Sequence, residues 1–109
     1  MRVGLLCADR GVPLGGTKGS SVHLRSIAAA LLRRGHAVAA AVARRGDERD
    51  VAPLAALGLA VTELDAAAPE DSIARWMAAT RPAWVLERLA LFAPHGARMA
   101  AAHGVPHVY

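Results

Sequence analysis

Residues 3–38 read VGLLCADRGVPLGGTKGSSVHLRSIAAALLRRGHAV, and the order of patterns inside this stretch decides the fold. Arg2 to Ala8 form a short, unbroken apolar run, the form of a strand buried on both faces. A polar, glycine-rich loop follows. From Ser20 or Ser21 onward the period changes, and Leu24, Ile27, Ala28, Leu31 and Leu32 make one helical stripe. Ser20 or Ser21 is the expected cap of the first turn, and Gly35 the residue that ends the helix in the left-handed conformation. HAVAAAVAR then restores a buried strand. Strand, loop, helix, turn and strand in this order make a βαβ unit, whose two strands must be parallel.

The same alternation continues to Tyr109. Arg44 to Asp50 read as a charged loop, and a short helix is expected to start near Pro53 and stop at Gly58. LAVTEL reads as a third strand. A third helix opens at Pro69 with Glu70 and Asp71 against its positive dipole end, turns Ile73, Trp76, Met77 and Thr80 inward, and stops before Pro82. AWVLE is a fourth strand, Pro94 to His103 a fourth helix closed by Gly104, and VPHVY a fifth strand. The expected fold is therefore α/β, a Rossmann-like, doubly wound parallel sheet of strand order 3-2-1-4-5, occupying residues 1–109 as a single domain. Such a domain normally continues from its fifth strand into a covering helix, so the chain is expected to be the front part of a longer one.

Composition narrows the function. Hydrophobic residues make up 54% of the 109 residues and 26 are alanine, which suits helices packed closely on a flat sheet. Aromatic residues are only 4%, too few for a base-stacking platform. The net charge of +4 comes from scattered arginines such as Arg33, Arg34, Arg44 and Arg45. No basic face forms, so no nucleic-acid partner is expected, whereas contact with anionic lipid headgroups stays open. Cys7 stands alone in an apolar run and reads as a small buried hydrophobe. The apolar runs are all well short of the roughly 20 residues that span a bilayer, and the start lacks a signal-peptide pattern, so a cytoplasmic protein is expected, with peripheral contact at the inner membrane face possible.

In an open parallel sheet, ligands bind beyond the carboxyl ends of the strands where strand order reverses. Between strands one and four, that crevice is lined by the loop from Asp9 to Ser21 and by Glu87 and Arg88. The loop fails as a P-loop, because Thr17 stands where lysine belongs after Gly16, and fails as a dinucleotide fingerprint, because its glycines are spaced wrongly. The physics survives the failed matches. Gly15 and Gly16 permit close backbone approach, the helix start favours an anion, and Lys18 adds a point charge. His23, in the first helical turn, can present a neutral imidazole to a hydroxyl or phosphate. His95, His103 and His107 show no metal-ligand spacing, and no metal site is expected.

MRVGLL, GTKGSSVHLRSIAAALLRRGHAV and AWVLERLALFAPHGARMAAAHGVPHVY together resemble the opening of a retaining glycosyltransferase of the GT-B fold, in the GT4 group. The Glu-Arg after strand four, followed by Leu-Phe, is similar to a subgroup in which tyrosine precedes the glutamate; Leu86 stands there instead. The resemblance implies two Rossmann-like domains across a cleft, this chain being the N-terminal, acceptor-side one, with the donor-binding C-terminal domain and its paired-glutamate signature absent. It implies that Gly15, Gly16, Lys18 and Ser20 approach the donor diphosphate. His23 and Glu87 become candidates for the reacting centre, and Asp9 and Arg88 line the acceptor side. A nucleotide-sugar donor, an acceptor that is a glycan, lipid or small molecule, metal-independent chemistry without a bound cofactor, and no activity in this chain alone complete the expectation. A response-regulator receiver, with Asp65 near the third strand's end as its acceptor, and a free-standing nucleotide-binding module are the alternatives.

Overall fold

The computed structural model describes residues 1–88 and 95–108. Pro94 as a helix start, the Leu91-Phe92 pair and the end of the fifth strand at Tyr109 lie outside the described residues. The chain runs β1 (Arg2–Cys7), α1 (Gly19–Arg33), β2 (Ala37–Val42), α2 (Glu48–Ala56), β3 (Ala60–Glu63), α3 (Pro69–Thr80), β4 (Trp84–Glu87), α4 (His95–Ala102) and β5 (His107–Val108). The sheet is parallel throughout, in the order β3-β2-β1-β4-β5, as the sequence implies. Strand order reverses at β1, where Leu5 lies between Ala40 and Leu86 and opens the crevice beyond it.

Alternation along β1 and β2 divides the core between the two sheet faces. Leu5, Cys7, Val38, Ala40 and Val42 pack under α1 and α2 with Leu24, Val51 and Leu54. Leu6, Ala39, Ala41 and Val85 pack under α3 and α4 with Ile73, Trp76, Met77 and Ala100. Each fully buried leucine side chain contributes about 2 kcal/mol over its exposed state. Alanine is a weak strand former, yet AVAAAV forms β2 because its small side chains let helices approach both faces. Cys7 is fully buried, as its apolar surroundings require, and that burial pushes its thiol above the ordinary range.

Helix ends follow local chemistry, with two corrections. Gly35 has φ +88°, the His36 N–H reaches the Leu31 carbonyl, and the Gly35 N–H reaches Leu32, which closes α1 in a Schellman turn. At its other end α1 begins at Gly19, with Lys18 at the cap position and no side-chain cap, so neither Ser20 nor Ser21 caps it. Ser21 instead lies inside the first turn, fully buried. The second correction concerns α2, which starts at Glu48 rather than near Pro53. The Asp47 side chain accepts the Arg49 N–H at 3.0 Å, Glu48 and Asp50 suit the positive dipole end, and Val51 and Leu54 face the core. What reads as a charged loop is half helix.

Candidate functional site

The loop from Asp9 to Lys18 is held mainly by its own chain. Asp9 accepts the Gly11 N–H on its side chain at 2.8 Å and the Val12 N–H on its carbonyl at 3.0 Å, making a tight turn straight after β1. Leu14 and Gly15 donate to the carbonyls of Arg44 and Arg45 beyond β2. Gly15 sits so close to the Asp47 backbone that a methyl group there would overlap it. Gly16 donates to the Asp50 carboxylate at 3.0 Å, and Lys18 reaches back to the Gly11 carbonyl at 2.7 Å. From the first turns of α1, Arg25 donates to the carbonyls of Leu14 at 2.8 Å and Gly16 at 2.9 Å.

These bonds change what the loop offers a ligand. The N–H groups of Gly15 and Gly16 are both taken within the chain, and the close approach at Gly15 is to Asp47. The free donors lie one step further on. Gly19, Ser20 and Ser21 occupy the first turn of α1, where helix geometry leaves the N–H groups without an intrahelical acceptor and no side chain caps them. Ser21 is buried, so an anion at this end of α1 would meet the N–H groups of Gly19 and Ser20 and the positive end of the helix dipole.

Beside that turn, at the switch point, is a depression of about 220 Å³. Leu5, Leu24, Ile27 and Leu86 form its apolar floor, and His23 and Arg88 stand at its edge. Both edge residues are exposed, and Arg88 is fixed to the sheet through its N–H on the Leu6 carbonyl at 2.9 Å. An apolar floor bordered by an imidazole and a guanidinium can seat a small ligand and grip its hydroxyl or anionic groups. His23 and Arg88 thus come together and the backbone end of Glu87 borders the same depression, whereas Asp9, Gly15, Gly16, Lys18 and Ser20 do not line it.

Glu87 borders it only in part. Its strand alternates, so its side chain shares the α3/α4 face with Val85, and its carboxyl lies against Gly96 in the first turn of α4. One oxygen is 2.7 Å from the His107 Nε2, and among the described residues the other oxygen has no hydrogen-bond partner. Burial pushes the Glu87 carboxyl above the usual carboxylate range, with the His107 hydrogen bond pulling the other way. The carboxyl of Glu87 and the ring of His23 therefore serve opposite faces of the sheet.

No family model and no curated protein matches this sequence. Solved structures do match. MurG from Acinetobacter baumannii superposes with a TM-score of 0.70 and 17% identity over 98% of this chain and 34% of MurG. The fold matches the N-terminal domain of MurG's GT-B architecture. The UDP-N-acetylmuramate:L-alanyl-gamma-D-glutamyl-meso-diaminopimelate ligase from Neisseria meningitides superposes with a TM-score of 0.67 and 17% identity, over 98% of this chain and 28% of the ligase. The chain thus spans about a third of the length of either protein, and at this identity the likeness is one of fold.

Sequence reasoning missed the residues that hold the site in shape. Arg25 reads as one more surface arginine on α1, and Asp47 and Asp50 as loop charges. His107 and His95, lacking metal-ligand spacing, carry no expectation, yet they bond Glu87 and Glu70. Among the described residues no cluster of histidine, cysteine or carboxylate is arranged to hold a metal ion, and no helix is long and apolar enough to cross a membrane.

Proposed function

We propose that this chain is the acceptor-side, N-terminal half of a GT-B glycosyltransferase, which moves a sugar from a nucleotide-sugar donor to a glycan, lipid-linked or small-molecule acceptor. The observation that carries the reading is the MurG-like fold over 98% of the chain, with a depression at the very switch point where such sheets bind ligands. In this reading the acceptor lies on the apolar floor between His23 and Arg88. The donor diphosphate, held mainly by a second domain, comes within reach of the free N–H groups of Gly19 and Ser20 at the exposed start of α1.

Those groups and the α1 dipole would stabilise the charge that builds on the leaving diphosphate, so the step needs no metal on this side of the cleft. His23, in the first turn of α1, would donate to or accept from the reacting hydroxyl or the phosphate. Retention of anomeric configuration and membership of the GT4 group rest on the sequence resemblance and belong to this proposal. Work at the cytoplasmic face of a membrane fits an acceptor of the lipid-linked kind.

The test is sugar transfer by this chain alone and by the chain joined to whatever its gene encodes downstream. The expected result is no transfer by the 109 residues and, for the longer protein, release of nucleoside diphosphate from a sugar nucleotide with the product anomer unchanged. Transfer by the chain alone would overturn the half-site reading. A downstream sequence without a second Rossmann-like domain would overturn the family reading. Labelling of Asp65 by a small phosphoryl donor would instead support a receiver-like domain.

A further inference from the structure

On the sheet face opposite His23 there is a second depression at the carboxyl edge, of about 180 Å³. Ala43 and Leu64, each the first residue past its strand, form its floor with Pro69, and Arg10, Asp65 and His95 stand around it. Three features of these residues define what could occupy it.

The first is the orientation of His95. Its Nδ1 lies 3.0 Å from Glu70 Oε1, and the same oxygen accepts from Arg98 at 3.1 Å. The His95 hydrogen bond, and then the charge of Arg98, hold the Glu70 carboxyl below its ordinary range, so it is ionised and can only accept. The proton between them therefore sits on Nδ1. In the neutral ring Nε2 carries the lone pair, and among the described residues nothing takes it. A carboxylate that fixes a histidine tautomer in this way turns the ring into a directed acceptor.

The second feature is Asp65, which is fixed before any ligand arrives. Its N–H donates to Ser72 Oγ at 3.1 Å and its Oδ1 accepts the Ala67 N–H at 2.9 Å, which leaves Oδ2 to a ligand. The third is Arg10, an exposed residue at the rim whose guanidinium is available to supply donors. Two acceptors and one donor fork suit a ligand that both gives and takes hydrogen bonds. An anion would face two electron-rich atoms. The volume is that of about six waters in the liquid, enough for one small ring, and the Ala, Leu and Pro floor suits its C–H face.

We propose that this second depression binds a single polyhydroxylated ring, a sugar or cyclitol, with one hydroxyl donating to His95 Nε2, another to Asp65, and Arg10 donating to a ring or hydroxyl oxygen. Glu70 acts as the positioning residue for His95. The site is separate from the depression at His23, and its binding does not depend on whether the chain transfers sugar.

The experiment is an amide-resolved NMR titration of the chain with the methyl glycosides of glucose, mannose and N-acetylglucosamine, with myo-inositol, and with orthophosphate. At least one polyol is expected to shift the amides of Ala8 to Arg10, Leu64 to Ala66 and His95 to Ala97 saturably, while orthophosphate leaves them in place. The glycosides and the inositol distinguish a sugar from a cyclitol. In His95→Asn the amide nitrogen stands where Nδ1 does and keeps the Glu70 bond, so only Nε2 is lost; affinity is expected to fall about tenfold with the remaining spectrum unchanged. Asp65→Asn, which keeps the acceptor for Ala67, is expected to weaken the same polyol. Silence of these amides with every polyol, an equal response to orthophosphate, or unchanged affinity in both variants would each overturn the proposal.

Discussion

The two faces of the sheet meet at one carboxyl edge, yet they are built by different means. On the α1/α2 face the edge is shaped by backbone: the loop from Asp9 to Lys18 is tied down through carbonyls and N–H groups, with Arg25 and Asp50 as its side-chain clamps. On the α3/α4 face the edge is shaped by side-chain pairs, Glu87 with His107 and Glu70 with His95 and Arg98. The first face holds a rigid loop beside an exposed helix start. The second holds directed titratable groups, one of them buried. A difference of this kind separates a surface that presents backbone donors to a ligand from one that presents side chains to it.

The largest effect is expected where backbone meets backbone. Gly15→Ala would drive a methyl group into the Asp47 backbone, which has no side-chain freedom to yield, and should cost about 3 kcal/mol in urea unfolding. A loss below about 0.5 kcal/mol, the range of a neutral surface change, would show that the loop is not wedged there.

Next comes Arg25→Ala, which removes two bonds from a charged donor to loop carbonyls and should cost about 2 kcal/mol by the same measurement. Both bonds leave the same guanidinium nitrogen, Nη1, which the planar group holds in place; Arg25→Lys should recover only part of the loss, because the flexible, more strongly hydrated ammonium is not fixed at that point. Full recovery by lysine would mean that charge alone, not the fixed position of Nη1, holds the loop.

The smallest effect tests the other face through pH. The folded-state carboxyl of Glu87 titrates above the ordinary 4.5, so the unfolded chain ionises first as pH rises and the folded chain keeps its proton. Its contribution is therefore fully present below 4.5 and is lost as pH rises through the folded value. Measured against Glu87→Gln, which does not titrate, the native chain should lose relative stability across that window. A constant difference, or one that grows in favour of the native chain, would contradict the buried acid.

The contrast between the faces also explains what the sequence discloses. Strand order and the α1 stripe are legible because Leu5, Leu24, Ala28 and their neighbours repeat at periods that only one arrangement can bury. The start of α2 is misread because all of Arg44 to Asp50 except Gly46 are charged. The signal was present in Asp47 at the cap and in Val51 and Leu54 three apart, but the charges mask it. The polar pairs carry no local signal. Glu87 and His107 are 20 residues apart, Glu70 and His95 are 25, and Gly16 and Asp50 are 34, separations that only the folded sheet closes. Likewise the glycine pair reads as a ligand contact, because sequence does not show that Gly15 and Gly16 already have partners in their own chain.

In the proposed reading, the α1 end of this sheet is one side of a site, able to touch a diphosphate but not to hold it. The most direct test of that reading is an amide-resolved titration of the chain with UDP, GDP and ADP. Shifts confined to Gly19 through His23 and unsaturated at millimolar ligand are the expected result. Saturable binding at micromolar concentration, or a response centred on Gly15 and Gly16 with Gly19 to Ser21 unmoved, would contradict it.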